Sequence, residues 1–117
     1  MLGIDWERVR LFVRPGATDL RKQINGLAVI VEQELRVDPF SESLFLFCNK
    51  ERRILKVLYW QRNGFCLWQK RLEKHRFPWP ERREQTHREI DARKLTMLLD
   101  GIDFWHAHET LSYTKIS

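Results

Sequence analysis

The sequence contains few cysteines and no long apolar run, and both absences exclude whole classes of protein. Two cysteines in 117 residues, Cys48 and Cys66, are too few for a disulfide scaffold or a four-cysteine zinc site. The longest apolar stretch, residues 24–31, is broken by Asn25 and Gly26 and is far shorter than the roughly 18 residues of a membrane helix. No apolar run follows the first residues, so a signal peptide is not expected. The sequence therefore predicts a cytoplasmic protein without membrane contact.

The sequence also lacks the residue patterns of common catalytic centres. It has no glycine-rich phosphate loop, no serine nucleophile elbow and no cysteine–histidine arrangement. Two-metal phosphoryl transfer needs carboxylates that converge on ions about 4 Å apart, whereas the aspartates are scattered over positions typical of caps and turns. His106, His108 and Tyr113 superficially resemble the motif of single-strand nucleases, but they crowd into the last dozen residues. We therefore predict no enzymatic activity, no cofactor and no bound metal.

What the chain does contain indicates one folded domain over residues 1–117. Single domains typically have about 100–200 residues, and 43% hydrophobic with 12% aromatic residues supply a core. Residues 8–13 have the composition of a short strand, which ends at the turn signal of residues 14–16.

An apolar stripe with helical spacing follows this strand. It consists of Leu20, Ile24, Leu27, Val31 and Leu35. The stripe predicts a helix from residue 20 to about residue 35, with Thr18 or Asp19 as its N-cap. Gly26 interrupts the helix at a cost of about 1 kcal/mol relative to alanine, which indicates close packing against a neighbour.

Three β-rich segments come next. Residues 44–48 and 54–60 are joined by a short polar loop, and a turn containing Asn63 and Gly64 leads into residues 65–72. The three segments predict an antiparallel meander, which needs a covering helix to be stable.

The C-terminal part contains one further helical signal. Residues 92–99 are predicted as a short helix with Asp91 as its cap and Gly101 as its terminator. Residues 104–117 show no clear period. The predicted fold is therefore α+β: a small antiparallel β-meander packed against one main α-helix, with a short C-terminal helix.

The net charge of +5 is concentrated in the middle of the chain. Residues 50–76 contain nine basic and two acidic side chains, whereas the rest of the chain is slightly acidic. Such clustering predicts a polyanionic partner, because cations beside aromatic side chains suit both phosphates and stacked bases. The candidate DNA-binding residues are Arg52, Arg53, Lys56, Arg62, Lys70, Arg71, Lys74 and Arg76. An ordinary solvated sheet surface with buried aromatics is the alternative interpretation.

Arg21 and Lys22 form a second candidate patch. In the first turn of the predicted helix they oppose the helix dipole, and a docked anion would offset that cost. The alternative is a local ion pair between Asp19 and Arg21 with Lys22 in water.

Several motifs, in order along the chain, resemble one known family. They are residues 16–22 (GATDLRK), 25–28 (NGLA), 38–41 (DPFS), 56–60 (KVLYW), 64–74 (GFCLWQKRLEK) and 76–80 (RFPWP). Together they resemble the TnpB accessory protein of the bacterial insertion sequences numbered sixty-six, which is distinct from the RNA-guided nucleases of the same name. The resemblance is strong over residues 10–80 and weaker over 88–103, which gives a family-like core of 10–103. Gln61, His75 and Glu42 depart from the usual pattern.

The resemblance implies a non-catalytic role in transposition beside a larger transposase that carries the catalytic acids. Combined with the charge pattern, it predicts an accessory protein that binds DNA electrostatically through the basic hairpin region. The alternative is an adaptor that contacts the transposase through surface tryptophans, with Trp60, Trp68 and Trp79 as candidates. The oligomeric state, the DNA preference and the surface that meets the transposase stay open.

Overall fold

The computed structural model describes residues 3–105 and contains one five-stranded sheet with two helices. The strands are β1 (Arg10–Val13), β2 (Ser43–Cys48), β3 (Ile54–Gln61), β4 (Gly64–Arg71) and β5 (Arg88–Ile90). The sheet order is β4-β3-β2-β1-β5. Helix α1 (Ile24–Ile30) continues into a π-helical turn (Val31–Leu35), and α2 (Ala92–Leu99) follows β5. The α+β class, the meander of β2, β3 and β4, and both helices are confirmed.

Strand β1 lies parallel to β2, with Phe12 opposite Phe45. Parallel neighbours need a crossover connection, and α1 supplies it. The antiparallel edge strand β5 pairs with β1 and was not predicted. It has three residues within a charged stretch, so its pairing depends on β1 rather than on a local signal.

Helix α1 begins four residues later than predicted. Its N-cap is Gln23, and neither Thr18 nor Asp19 caps it. The Thr18 hydroxyl instead accepts a hydrogen bond from Arg14, and the Asp19 carboxylate accepts one from the backbone N–H of Arg21. These local bonds compete with helix formation. Arg21 therefore precedes the helix, and the argument from the dipole at its first turn was wrong.

The sheet is buried on both faces. One face packs on α1, and its core contains Phe12, Leu27, Ile30, Val31, Leu35, Phe45, Phe47 and Leu58. The other face is covered by α2 and by the segment that contains Phe77 and Trp79. Burial from both sides explains why every residue of β2 is buried. Strands that are covered on both faces have continuous apolar runs in their sequence.

The termini of α2 agree with the prediction. The Asp91 carboxylate accepts a hydrogen bond from the backbone N–H of Lys94 at 2.8 Å, and Gly101 has a φ of +79° just after the helix. No helix within residues 3–105 is long and apolar enough to cross a membrane.

Candidate nucleic-acid interface

Two segments that are distant in sequence meet at one end of the β3–β4 hairpin. The carbonyl of Arg53 accepts a hydrogen bond from the N–H of Leu72 at 2.8 Å, and the carbonyl of Arg52 accepts one from the N–H of Phe77 at 2.7 Å. The 49–53 loop and residues 71–76 are thereby held side by side. We call this surface the cationic end, and its exposed cations are Lys50, Arg52, Arg53, Arg71, Lys74 and Arg76.

The 49–53 loop has a defined backbone conformation. The side-chain oxygen of Asn49 accepts hydrogen bonds from the N–H groups of Arg53 and Ile54 at 2.9 and 3.1 Å. Arg52 has a φ of 61°, in the left-handed region that costs a non-glycine residue about 1 kcal/mol. The loop thus holds an arginine where glycine would be less strained, and this cost is consistent with a functional role for the side chain.

Few carboxylates oppose the charge of the cationic end. Glu73 pairs with Arg71 at 3.2 Å, but both side chains are mostly exposed and such a pair is weak in water. Its backbone carbonyl also accepts a hydrogen bond from the Arg53 guanidinium. Among residues 3–105, none of the five ion pairs involves Lys50, Arg52, Arg53, Lys74 or Arg76. The surface therefore has a net positive charge.

Two predicted DNA-binding lysines are not on this surface. Lys56 is 4% exposed beneath the segment before α1, and its ammonium donates to the carbonyls of Leu20 and Lys22 at 2.7 and 3.3 Å. Lys70 is half-buried on the opposite face and donates to the carbonyl of Leu99, at the C-terminus of α2, where the helix dipole favours a cation. Both were expected to be exposed, but helices cover both faces of the sheet. We leave both out of the candidate interface.

Arg62 also lies apart from the cationic end. It is exposed in the two-residue turn at the far end of the hairpin, where Gln61 pairs with Gly64. The length of β3 separates it from the 49–53 loop by about 23 Å, at roughly 3.3 Å per residue. Arg62 and the cationic end therefore do not form one continuous surface.

At the second candidate patch, the structure shows the alternative interpretation, a local ion pair between Asp19 and Arg21. The Arg21 guanidinium makes three hydrogen bonds to the Asp19 carboxylate, and they lower the pKa of Asp19 to about 2. The 17–21 segment borders the 49–53 loop across a cleft lined by Arg21, Lys50 and Glu51. Lys22 is exposed and takes part in no ion pair among the described residues.

The opposite end of the hairpin carries an aromatic cluster. Phe40, Trp60 and Phe65 have ring centroids 4.9 to 5.2 Å apart, and Phe40 is 55% exposed. A cleft lined by Tyr59 and Arg62 adjoins them. We call these three rings and the cleft the aromatic end. The sequence contained Phe40 in its Asp-Pro-Phe-Ser motif, but no local signal showed that the ring would be exposed.

The other candidate tryptophans have different roles. Trp79 is 5% exposed, and its indole N–H donates to the carbonyls of Arg14 and Gly16. It is therefore part of the core. Trp68 is half-buried at the margin of that core. Of the three candidates, Trp60 alone belongs to an exposed aromatic cluster.

The described residues give little support for reactive or metal chemistry. Residues 3–105 contain no group of three or more histidine, cysteine or acidic side chains that could hold a metal. Burial raises the pKa of the Cys48 thiol to about 12, which leaves little reactive thiolate. His106, His108 and Tyr113 lie outside the described residues. The absence of enzymatic activity stays a prediction.

The fold and surface together define a small α+β domain with a compact basic surface built from loops. The family model described as "IS66 Orf2 like protein" matches residues 9–109. The chain belongs to this family of insertion-sequence accessory proteins. The resemblance of the motifs is confirmed, and the match continues beyond residue 103.

Two relatives from Sinorhizobium fredii (strain NBRC 101917 / NGR234) are similar to the chain. "Uncharacterized protein y4hO" is 36% identical over 110 residues, covering 94% of this chain and 95% of the relative. "Uncharacterized protein y4jC" is 28% identical over 96 residues, covering 82% and 81%. No solved structure matches the chain.

Proposed function

We propose that this accessory protein binds DNA electrostatically through its cationic end during transposition of its element. The observation that carries the proposal is the pair of backbone hydrogen bonds from Leu72 and Phe77 to the 49–53 loop. They bring cations from two segments into one exposed surface with few opposing carboxylates. DNA phosphates would bind there and release their condensed counterions.

The expected salt dependence follows from the cations of this surface that take part in no ion pair among residues 3–105. These are Lys50, Arg52, Arg53, Lys74 and Arg76. If each meets one phosphate of duplex DNA, the logarithm of the binding constant falls with the logarithm of salt concentration at a slope of about −4.5. A flat salt response of the wild-type protein would contradict the proposal.

Arg52 and Arg62 offer a matched pair for the decisive experiment. Both are exposed arginines with left-handed φ values, 61° and 57°, at opposite ends of the hairpin. Arg52→Gly and Arg62→Gly each remove one charge and relieve the same backbone strain. We expect Arg52→Gly to weaken binding to a duplex oligonucleotide and to make the slope less negative by about 0.9, while Arg62→Gly leaves the slope unchanged. Equal weakening by both variants would show that the cationic end is not the binding surface.

A second candidate function is adaptor binding to the transposase through the aromatic end. The exposure of Phe40 against Trp60 and Phe65 favours it, because exposed aromatic clusters are typical of binding hot spots. Phe40→Ala should weaken co-purification with the transposase and leave DNA affinity unchanged. Arg52→Gly should have the opposite pair of effects. If Phe40→Ala leaves co-purification intact, the aromatic end is not the contact.

A further inference from the structure

We propose that Lys56 is a positioning residue for the DNA-binding surface. Its buried ammonium holds the segment before α1 so that Lys22 projects beside the cationic end. The inference rests on the proposed function and adds to it a residue that does not touch DNA.

Lys56 has an unusual environment for a lysine. It is the one charged residue among 3–105 that is fully buried, and its acceptors are the carbonyls of Leu20 and Lys22 rather than a carboxylate. Buried lysines are normally paired with an acid, because removing an ammonium from water is costly. An apolar side chain at this position of β3 would avoid that cost. The lysine therefore has a use that core packing does not explain.

Its two acceptors belong to the turn that precedes α1. The N–H of Lys22 donates to the carbonyl of Asp19 at 3.2 Å, and the Asp19 carboxylate accepts from the N–H of Arg21 at 3.0 Å. These bonds close the turn locally, whereas the bonds from Lys56 attach it to the sheet. Without them, the turn would lose its polar link to β3 and keep only the apolar contact of Leu20 with the core that includes Leu58.

A second contact fixes the Lys22 side chain. A Cβ placed on Gly26 would lie 3.1 Å from the Cβ and 3.2 Å from the Cγ of Lys22. The aliphatic stem of Lys22 therefore packs directly over Gly26 in the first turns of α1. Gly26 thus packs closely against a neighbouring side chain, as its position within the predicted helix indicated. Lys22 is therefore held both by its carbonyl, which accepts from Lys56, and by its stem, which packs on Gly26.

Lys22, rather than Arg21, adds charge to the surface. The Asp19 carboxylate offsets the Arg21 guanidinium, whereas Lys22 has no ion-pair partner among residues 3–105. Residues 17–21, which directly precede Lys22, border the 49–53 loop across the cleft described above. In this proposal Lys22 meets a DNA phosphate beside those bound by the loop, and its contact makes the expected wild-type slope about −5.4 instead of the −4.5 given by the five loop and strand-end cations.

Lys56→Met tests the inference, with Lys70→Met as its matched control. Lys70 lies on the neighbouring strand β4, on the other face, and its ammonium also donates to a backbone carbonyl. Each variant removes one lysine ammonium that donates to backbone carbonyls, fully buried for Lys56 and half-buried for Lys70. We expect Lys56→Met to weaken binding to a duplex oligonucleotide about fivefold near 0.1 M salt and to make the slope less negative by about 0.9, whereas Lys70→Met changes neither.

A double-variant cycle separates positioning from direct contact. Lys22→Gln should weaken binding as much as Lys56→Met, and the two changes together should weaken it no further. Additive losses would mean that Lys56 acts on DNA independently of Lys22, and they would overturn the inference. Equal losses in Lys56→Met and Lys70→Met would overturn it as well.

The remaining outcomes distinguish this inference from the proposed function. If the wild-type protein does not bind DNA, the proposed function fails and the inference fails with it. If the wild type binds with a steep salt dependence and folded Lys56→Met binds equally well, only the inference fails.

If Lys56→Met does not fold, Gly26→Ala is the variant to test instead. Gly26→Ala keeps every charge and displaces the Lys22 stem. About twofold weaker binding by the folded variant supports the placement of Lys22 that the inference requires, and unchanged binding overturns it.

Discussion

The two ends of the β3–β4 hairpin differ in the side chains that they expose. At the cationic end, backbone hydrogen bonds hold two charged segments together, with Arg52 and Arg53 on one of them. At the aromatic end, Phe40 lies against Trp60 and Phe65, and acidic residues such as Glu42 line the adjoining cleft. The first surface suits a polyanion, and the second suits a protein.

This separation changes how the two functional hypotheses relate to each other. Binding of DNA and binding of the transposase would use surfaces about 23 Å apart, joined by two paired strands. Substitutions at such a distance normally act independently. The two functions are therefore compatible, and variants at one end are controls for the other.

Charge reversal at the cationic end should have the largest effect. The double variant Arg52→Glu, Arg53→Glu should weaken binding to a duplex oligonucleotide by about 100-fold or more near 0.1 M salt, because two attractions become repulsions. Fluorescence anisotropy measures the change. Arg93→Glu, Lys94→Glu is the matched control, since both residues are exposed on the first turn of α2, where acids are favourable. Similar losses in both double variants would leave no distinction between the cationic end and the rest of the surface.

Truncation at the aromatic end should affect stability more than DNA binding. Trp60→Ala removes a half-buried ring from its contacts with Phe40 and Phe65, and we expect a loss of about 2 kcal/mol in the free energy of unfolding. Phe40→Ala should cost less than about 1 kcal/mol, because that ring is mostly exposed. Urea denaturation measures both. A larger cost for Phe40→Ala would mean that Phe40 is a packing residue and not a surface kept available for a partner.

Glycine at the strained arginines should stabilise the protein. Arg52 and Arg62 have left-handed φ values, which strain any residue with a side chain but not glycine. Arg52→Gly and Arg62→Gly should therefore each raise the free energy of unfolding by about 0.5 kcal/mol. Thermal and urea unfolding measure the gain. A gain at Arg52 together with weaker DNA binding would show that the side chain is retained for function at a cost in stability. A loss of stability at Arg52 would instead show that its side chain supports the fold.

Much of the fold could be predicted because its signals are local. The hairpin turn, which the structure places at Arg62 and Asn63, and the cap at Asp91 each depend on a few neighbouring residues. Strand β5 could not be predicted in this way, because its three residues are a strand only through their pairing with β1, which is distant in sequence.

The candidate site was harder to predict, because exposure is set by the whole fold. A lysine within a strand is normally solvated, and nothing local shows that α1 and its preceding turn would cover Lys56. The meeting of residues 71–76 with the 49–53 loop also depends on the strand register. The charge clustering correctly indicated the region, whereas the register and the helices decided which of its cations are exposed.

Removing the Asp19 carboxylate should have a small effect, which is favourable for DNA binding and unfavourable for stability above pH 4. Its pKa is about 2 in the folded protein against 3.8 for an ordinary aspartate, because Arg21 hydrogen bonds to the carboxylate. The unfolded chain therefore binds more protons, so this contribution to stability is present above pH 4 and is lost as the pH falls towards 2.

Asp19→Asn should remove that part of the acid dependence, so that melting temperature falls less between pH 4 and pH 2 than in the wild type. At neutral pH the same change releases Arg21 from its ion pair, beside the cleft that leads to the 49–53 loop. We expect DNA binding to strengthen about threefold, since one more cation becomes available to phosphate. Parallel acid profiles would show that the Asp19–Arg21 pair adds nothing to folding. Weaker DNA binding would show that the pair orders the turn for Lys22, and that this order matters more than the charge of Arg21.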